Sequence, residues 1–263
     1  MRLRATAALA AGLLTLAACG SSSANPQTTA ITVLAASSLT KAFPRVGDLF
    51  TKAHPSVTVN FSFGGTDSLA AQIEQGAPAD VFAGASAKFG EMLSGQHLIE
   101  RPKPFCTNSL VLVVPPSNPA GITSPKDLAT KNVKLVVGSE SVPVGAYTRT
   151  VLGSLDAIYG SDYSTRALAR VVSNEDTAEA VLAKVETGEA DAAFVYVTDA
   201  RAAGSQLTAI TLPATANAVA AYPIAVVSAT DHADAARQFV TFVLSPPARA
   251  LLRQAGFGPP PAS

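Results

Sequence analysis

The chain has 263 residues, 19 Lys and Arg against 19 Asp and Glu, and a formal net charge of zero; charged residues make up 14% and hydrophobic residues 48%. A sequence this apolar and this long buries a substantial core, which excludes intrinsic disorder as its main description, and the lack of a basic surplus argues against a nucleic-acid partner. With no Trp, 6% aromatic residues, two cysteines and three scattered histidines (His54, His97, His232), a base- or sugar-stacking site, a disulfide scaffold and a histidine-rich metal site are all disfavoured.

Arg2 and Arg4 open the chain, and residues 5–18 are almost entirely Ala, Leu and Gly. This pattern predicts a signal peptide over residues 1–18, too short for a spanning helix. It ends in Leu16-Ala17-Ala18-Cys19-Gly20, which resembles the lipobox of bacterial lipoproteins. The resemblance implies cleavage before Cys19 and acylation of that residue. Residues 20–29 are small and polar and predict a flexible tether, so that 19–29 would link a globular body to the outer face of the cell membrane. Cys106 is then the one unmodified thiol; its neighbours Pro104, Phe105 and Leu110 predict a buried, inert side chain.

The body alternates strand and helix. Ile31–Ala36 is a short apolar strand, followed by Leu39, Phe43, Val46 and Phe50 at helical spacing, with Pro44 kinking that helix or marking a later start. Val57, Val59, Phe61 and Phe63 alternate with polar residues, as in a half-buried strand. Leu69 and Ile73 carry a helix that stops near Gly76, and Asp80–Ala83 is a third strand. Leu110–Val114 and Val133–Val137 are strand-like; Ala178, Val181, Leu182 and Val185 mark an amphipathic helix. Ala193–Val197 and Ile224–Ser228 are further strands. Ala236, Phe239, Val240 and Val243 mark another helix, and a last one after Pro246-Pro247 ends at Gly256 as its C-cap. Strands separated by helices predict an α/β fold with parallel sheets; length does not decide between one domain and two.

Four strand-to-helix junctions look alike: Ser37-Ser38, Gly64-Gly65-Thr66-Asp67-Ser68, Pro143-Val144-Gly145, and Ser173-Asn174-Glu175-Asp176-Thr177. A helix start carries unpaired backbone N–H groups and about half a unit of positive charge, so converging starts make an anion site without Lys or Arg. In open α/β sheets such junctions lie at the carboxyl ends of the strands, where ligands bind. Taken singly, each junction also reads as ordinary helix capping. No nucleophile elbow, Walker A sequence, dinucleotide glycine fingerprint or metal-spaced histidine pair is present. Asp231-His232 reads as a helix cap, Asp80 as a buried, hydrogen-bonded structural residue, and Glu175-Asp176 as carboxylates complementing a helix dipole.

Several motifs resemble the periplasmic molybdate-binding proteins of bacterial ABC importers. They are Ala35-Ala36-Ser37-Ser38-Leu39-Thr40, the run from Leu69 to Asp80, Asn108-Ser109-Leu110, Val142 to Tyr147 (VPVGAY), Glu175-Asp176, Val195 to Ala200 (VYVTDA), and the glycine-flanked Phe257. They span roughly residues 31–258 in the family's order. The resemblance implies a two-lobe periplasmic-binding-protein fold of the type II kind, each lobe a mostly parallel sheet flanked by helices, with the ligand in the cleft between. One lobe would hold residues 30–108 plus 224–263 and the other 109–223, the chain crossing near Ser109 and near Tyr222-Pro223. Carried over residue by residue, the ligand contacts would be the hydroxyls of Ser38 and Thr66, the backbone N–H groups of Val144 and Thr177, and the hydroxyl of Tyr196. The implied role is capture of molybdate or tungstate and delivery to an ABC transporter permease. No catalytic residue and no cofactor is expected, and the working form is a monomer on its lipid anchor.

This chain departs from the family's common pattern at three places. Gly64-Gly65-Thr66-Asp67 stands where a run of Ser is frequent, Val144 where Ala is, and Thr177 where an apolar residue is. The last two matter little if only backbone N–H is used. Asp67 keeps a second reading open, a receptor for sulfate or phosphate, because a carboxylate accepts a proton from hydrogen phosphate. A third, a secreted enzyme on the same fold, would need Asp67 or Glu175 as its base. A site of donors only suits a fully ionised dianion, since no oxygen then needs an acceptor. Sulfate is smaller and would leave the bonds long; tungstate would be poorly distinguished from molybdate.

Overall fold

A computed structural model describes residues 28–261. The signal peptide over 1–18, Cys19 and most of the tether lie outside the described residues. In chain order the elements are β1 (Thr29–Ala36), a 3-10 turn (Ser37–Leu39), α1 (Phe43–Ala53), β2 (Val57–Gly64), α2 (Thr66–Glu74), β3 (Val81–Ala83), α3 (Ala87–Gly95) and β4 (Lys103–Val114). Then follow α4 (Asp127–Thr130), β5 (Leu135–Gly138), α5 (Pro143–Tyr159), α6 (Tyr163–Leu168), β6 (Val171–Glu175), α7 (Ala178–Glu186) and β7 (Ala192–Tyr196). The chain closes with α8 (Val197–Ala203), β8 (Thr208–Ile210), β9 (Val219–Val226), α9 (Ala233–Val243) and α10 (Pro246–Ala255). Among the described residues no helix is long and apolar enough to cross a membrane.

The strands run β2-β1-β3-β9-β4-β7-β5-β6 in one path, with β8 beside β4. The two wings are parallel: β1 pairs with β2 and β3, and β5 with β6 and β7. The middle is antiparallel, a difference from the all-parallel sheets that strand–helix alternation suggests. It arises because β4 and β9 are long strands shared between the wings. Lys103–Ser109 pairs with Ile224–Val219, and Leu110–Val113 then pairs with Tyr196–Ala193. Only the apolar second half of β4 was legible as strand; the Lys103–Ser109 half, with Pro104 and Asn108, takes its conformation from β9. The same holds for Val219–Tyr222, which precede the strand expected from Ile224.

Burial explains the wings. β1 is covered on both faces, with Ile31, Val33 and Ala35 in the main core and Leu34 in a second cluster with Leu69, Phe82 and Leu93. Two-sided burial is the usual state of a parallel sheet between helix layers. β1 starts at Thr29, whose N–H donates to the Ser56 carbonyl at 2.8 Å, so residue 29 is strand rather than tether. Pro44 falls in the first turn of α1, where its missing N–H breaks no helix bond; the helix is not kinked, and Leu39 belongs to the preceding 3-10 turn. Gly256 closes α10 in the left-handed region at φ 103°. Cys106 is buried, and burial pushes its thiol pKa well up.

Asp80 is the buried, hydrogen-bonded residue that its position suggested. Its carboxylate accepts from the Thr32 N–H at 2.6 Å and from the Thr230 hydroxyl, with His232 Nδ1 at 3.1 Å. His232 does sit at the N-cap of α9, but its side chain makes no capping bond. The capping position read at Asp231-His232 is thus filled by His232, whose imidazole ties the start of α9 to Asp80 rather than bonding the helix N–H groups.

Candidate functional site

The carboxyl ends of β1, β2, β5, β6 and β7 face one small pocket. Its wall includes Ser37, Ser38, Gly65 and Thr66 from one wing and Val142, Val144, Asp176, Thr177 and Tyr196 from the other. All five residues singled out as ligand contacts are brought together there: Ser38, Thr66, Val144, Thr177 and Tyr196. The pocket is small, a space suited to a compact ion of a few heavy atoms.

Each element contributes through its local chemistry. α5 starts with Val142 as N-cap and Pro143 in its first turn. Pro143 has no N–H, and the Val142 N–H donates to Ser139 O at 3.1 Å, so the next N–H groups, at Val144 and Gly145, are the ones without an intrahelical partner. The approach of this helix start to β5 demands glycine. A Cβ on Gly145 would lie 1.9 Å from Ser139 O, and one on Gly138 would lie 2.6 Å from a Val144 methyl. At α7 the Thr177 hydroxyl accepts from the Ala180 N–H at 3.0 Å. That capping bond satisfies one donor and leaves the Thr177, Ala178 and Glu179 N–H groups at the helix start.

The ordinary capping explanation covers one junction of the four. Thr177 caps α7 with its side chain, but neither Gly65 before α2 nor Val142 before α5 makes a side-chain cap, and Ser37-Ser38 form a 3-10 turn. Ser38 and Thr66 are buried polar residues. Thr66 Oγ1 accepts from the Ala85 N–H at 3.0 Å, which leaves its own proton free to donate. Ser38 Oγ lies 2.9 Å from the Tyr222 hydroxyl. Tyr196, at the end of β7, is 1% exposed and its hydroxyl has no hydrogen-bond partner among the described residues. Burial holds its pKa well above the usual value, so it stays a neutral donor. A buried phenol without a partner is an uncommon and costly arrangement, and here it borders a pocket into which other donors converge.

Of the carboxylates nearby, Asp176 borders the pocket. Asp67 and Glu175 are not on the pocket wall. The Asp67 Oδ1 atom lies beside Gly65, buried and without a hydrogen-bond partner among the described residues, and Glu175 accepts from the Ser173 hydroxyl. Asp176 is solvent-exposed, with its Oδ1 accepting from Ser139 Oγ at 3.1 Å. Asp199 lies behind Tyr196: one carboxylate oxygen accepts from the Tyr196 N–H at 3.3 Å, and burial pushes its pKa up to about 7. Sequence reasoning named Gly65 as part of a junction but did not single out Ala85, Asn108 or Tyr222. Asn108 and Tyr222 stood in noticed stretches, the Asn-Ser-Leu motif and the second crossing, but no local signal marks them as partners of Ser38.

The family described as bacterial extracellular solute-binding protein matches residues 31–258. The molybdate-binding protein ModA of Mycobacterium tuberculosis (strain H37Rv) is 39% identical over 263 residues, covering 97% of this chain and 96% of that protein. Among solved structures, the substrate-binding domain of a putative molybdenum ABC transporter from Clostridium difficile superposes with a TM-score of 0.67 at 29% identity, over 88% of this chain and 99% of the other. The Azotobacter vinelandii periplasmic molybdate-binding protein gives a TM-score of 0.76 over 88% of this chain and 100% of its own; at 22% identity that likeness concerns the fold.

Proposed function

The chain belongs to the bacterial extracellular solute-binding proteins, and from that premise we propose that it captures molybdate, and tungstate with it, outside the cytoplasm for delivery to the permease of an ABC importer. It is a binding protein and not an enzyme. The observation that carries the choice of ligand class is the buried, unpartnered hydroxyl of Tyr196 beside the donors of Ser38, Thr66, Val144 and Thr177. These five groups would hold a tetrahedral dianion by hydrogen bonds alone. Each charge-assisted bond is worth roughly 1.5–3 kcal/mol. Several together offset dehydration and support a Kd of about a micromolar to a nanomolar, −8 to −12 kcal/mol.

The two wings would act as lobes, residues 30–108 with 224–263 and residues 109–223, with β4 and β9 as the connecting strands and the pocket closing by hinge motion. The mature chain would be a monomer held at the outer face of the cell membrane by an acylated Cys19, with the oxyanion as cargo and no cofactor. The sulfate or phosphate reading rested on Asp67, and the enzyme reading on Asp67 or Glu175. Neither carboxylate is on the pocket wall, which leaves the donor set as the stronger guide to the ligand.

The deciding experiment is isothermal titration calorimetry on residues 25–263 with molybdate, tungstate, sulfate and phosphate. Tight one-to-one binding of the first two with the others silent is the expected result. Binding of phosphate or sulfate in their place would overturn the assignment. Ser38→Ala should weaken molybdate by roughly ten- to a hundredfold, the loss of one charge-assisted bond; unchanged affinity would remove Ser38 from the site.

A further inference from the structure

We propose that Tyr222 is a positioning residue for Ser38. The relay Asn108–Tyr222–Ser38 fixes the Ser38 hydroxyl as a donor only, and so makes the site refuse any tetrahedral anion that carries a proton. The inference rests on the oxyanion reading above and narrows it to fully ionised oxyanions.

The polarity follows from counting protons along the chain of contacts. Asn108 on β4, Tyr222 on β9 and Ser38 at the end of β1 are all buried. The Asn108 Oδ1 accepts from the Ser109 N–H at 3.0 Å, which orients the amide with its Nδ2 toward the interior. Nδ2 donates to Thr198 Oγ1 at 2.9 Å and lies 3.4 Å from the Tyr222 hydroxyl. An amide nitrogen donates and cannot accept, so the Tyr222 oxygen is the acceptor in that pair. Tyr222 then has one proton to place. The acceptor in reach is Ser38 Oγ at 2.9 Å. Burial keeps the Tyr222 phenol neutral, so that proton is present. Ser38 Oγ, already accepting from Tyr222, turns its own single proton toward the pocket.

Thr66 reaches the same polarity by a different route, since its oxygen accepts from the Ala85 N–H. Tyr196, held neutral by burial, offers its hydroxyl as a donor, with no hydrogen-bond partner for that group among the described residues. The Val144 and Thr177 contributions are N–H groups. A fully ionised anion satisfies all of these donors. Hydrogen phosphate brings a further proton that meets a donor at each of these five positions, and a buried donor without an acceptor is costly; the Asp176 carboxylate at the pocket rim is solvent-exposed and already accepts from the Ser139 hydroxyl. Removing the Tyr222 hydroxyl frees Ser38 to accept as well as to donate, and relaxes the exclusion at one of the five positions.

The test is calorimetry on the mature protein with molybdate, sulfate and inorganic phosphate, at pH 6 and pH 8. The proteins are wild type, Tyr222→Phe, Ser38→Ala and the double variant. Tyr222→Phe should weaken molybdate by about three- to tenfold, as for a lost neutral hydrogen bond, and leave the molybdate-to-sulfate ratio within about twofold. It should lower the molybdate-to-phosphate ratio by about tenfold or more. In the Ser38→Ala background, Tyr222→Phe should change that ratio no further, the mark of a residue acting through its neighbour.

Equal weakening of all three anions, phosphate remaining silent at millimolar concentration, or a ratio shift that persists without Ser38 would each overturn the relay. Should Tyr222→Phe lack a cooperative thermal transition, Asn108→Ala provides the same comparison, because it removes the donor that sets the direction of the Tyr222 proton. Wild type failing to bind molybdate would refute the oxyanion reading itself; wild type binding with an unmoved phosphate ratio in the variant refutes the relay alone.

Discussion

Gly65 sits where the two wings touch across the pocket, which makes Gly65→Ala a probe of closure. Its backbone is at φ −60°, ψ 136°, a conformation any residue adopts, so alanine introduces no backbone strain. The added Cβ would instead lie 2.8 Å from the Asp176 carbonyl oxygen on the opposite wing and 2.8 Å from Asp67 Oδ1. The carboxylate of Asp67 can rotate away; the Asp176 carbonyl is main chain and can withdraw only if the wings part. An overpacking penalty of this kind is about 1–3 kcal/mol. Charged to the closed form alone, it lowers molybdate affinity about 5- to 150-fold.

Folding without ligand should respond differently, because an opened pocket has room for the methyl group. The reduced entropy of the unfolded chain stabilises alanine by about 0.4–1 kcal/mol, against about 0.5–1 kcal/mol lost in exchanging an N-cap glycine for alanine. The unliganded melting temperature should therefore stay within about 2–4 °C of wild type. Calorimetry for affinity and thermal melting with and without molybdate separate the two effects. Wild-type affinity, or an unliganded melting temperature that falls as far as the liganded one, would refute the idea that Gly65 marks a closing contact.

Tyr196→Phe should show opposite signs in two assays: affinity for molybdate falls roughly ten- to a hundredfold, while the unliganded protein is no less stable because a buried, unpartnered oxygen has been removed. A loss of unliganded stability in chemical denaturation would mean the hydroxyl has a partner in the protein. Asp199 makes stability pH-dependent. Its pKa is about 7 in the folded protein against an ordinary value of 3.8, so the unfolded chain gives up this proton first and stability declines as pH rises from about 4 through about 7. Urea midpoints over that range should fall in wild type and fall less in Asp199→Asn; identical slopes would remove Asp199 as the source. Cys19→Ser should leave molybdate affinity intact and release the protein from membranes, and retention in the membrane fraction would sink the lipoprotein reading.

Much of the architecture was written locally. The alternation of Val57, Val59, Phe61 and Phe63 announced β2, and the spacing of Phe239, Val240 and Val243 announced α9, because burial of one face imposes a period that sequence must carry. Helices without a strong stripe, such as α3 and α8, and short β8 escaped notice. So did the first half of β4, whose strand state depends on pairing with residues more than a hundred positions away. At the site, the residue types at each strand-to-helix junction were legible, since unpaired N–H groups are a property of every helix start and a hydroxyl donates wherever it stands.

Sequence by itself thus determined which atoms this protein can offer a ligand: hydroxyls and helix N-termini in place of Lys or Arg. Only the tertiary structure decided that Ser38, Thr66, Val144, Thr177 and Tyr196 share one pocket, and that Asp67 is not on its wall. It alone also set the direction in which the Ser38 hydroxyl donates. That direction depends on Asn108 and Tyr222 meeting across two strands far apart in the chain, and a hydrogen bond's polarity is a property of the contact, which no single residue encodes.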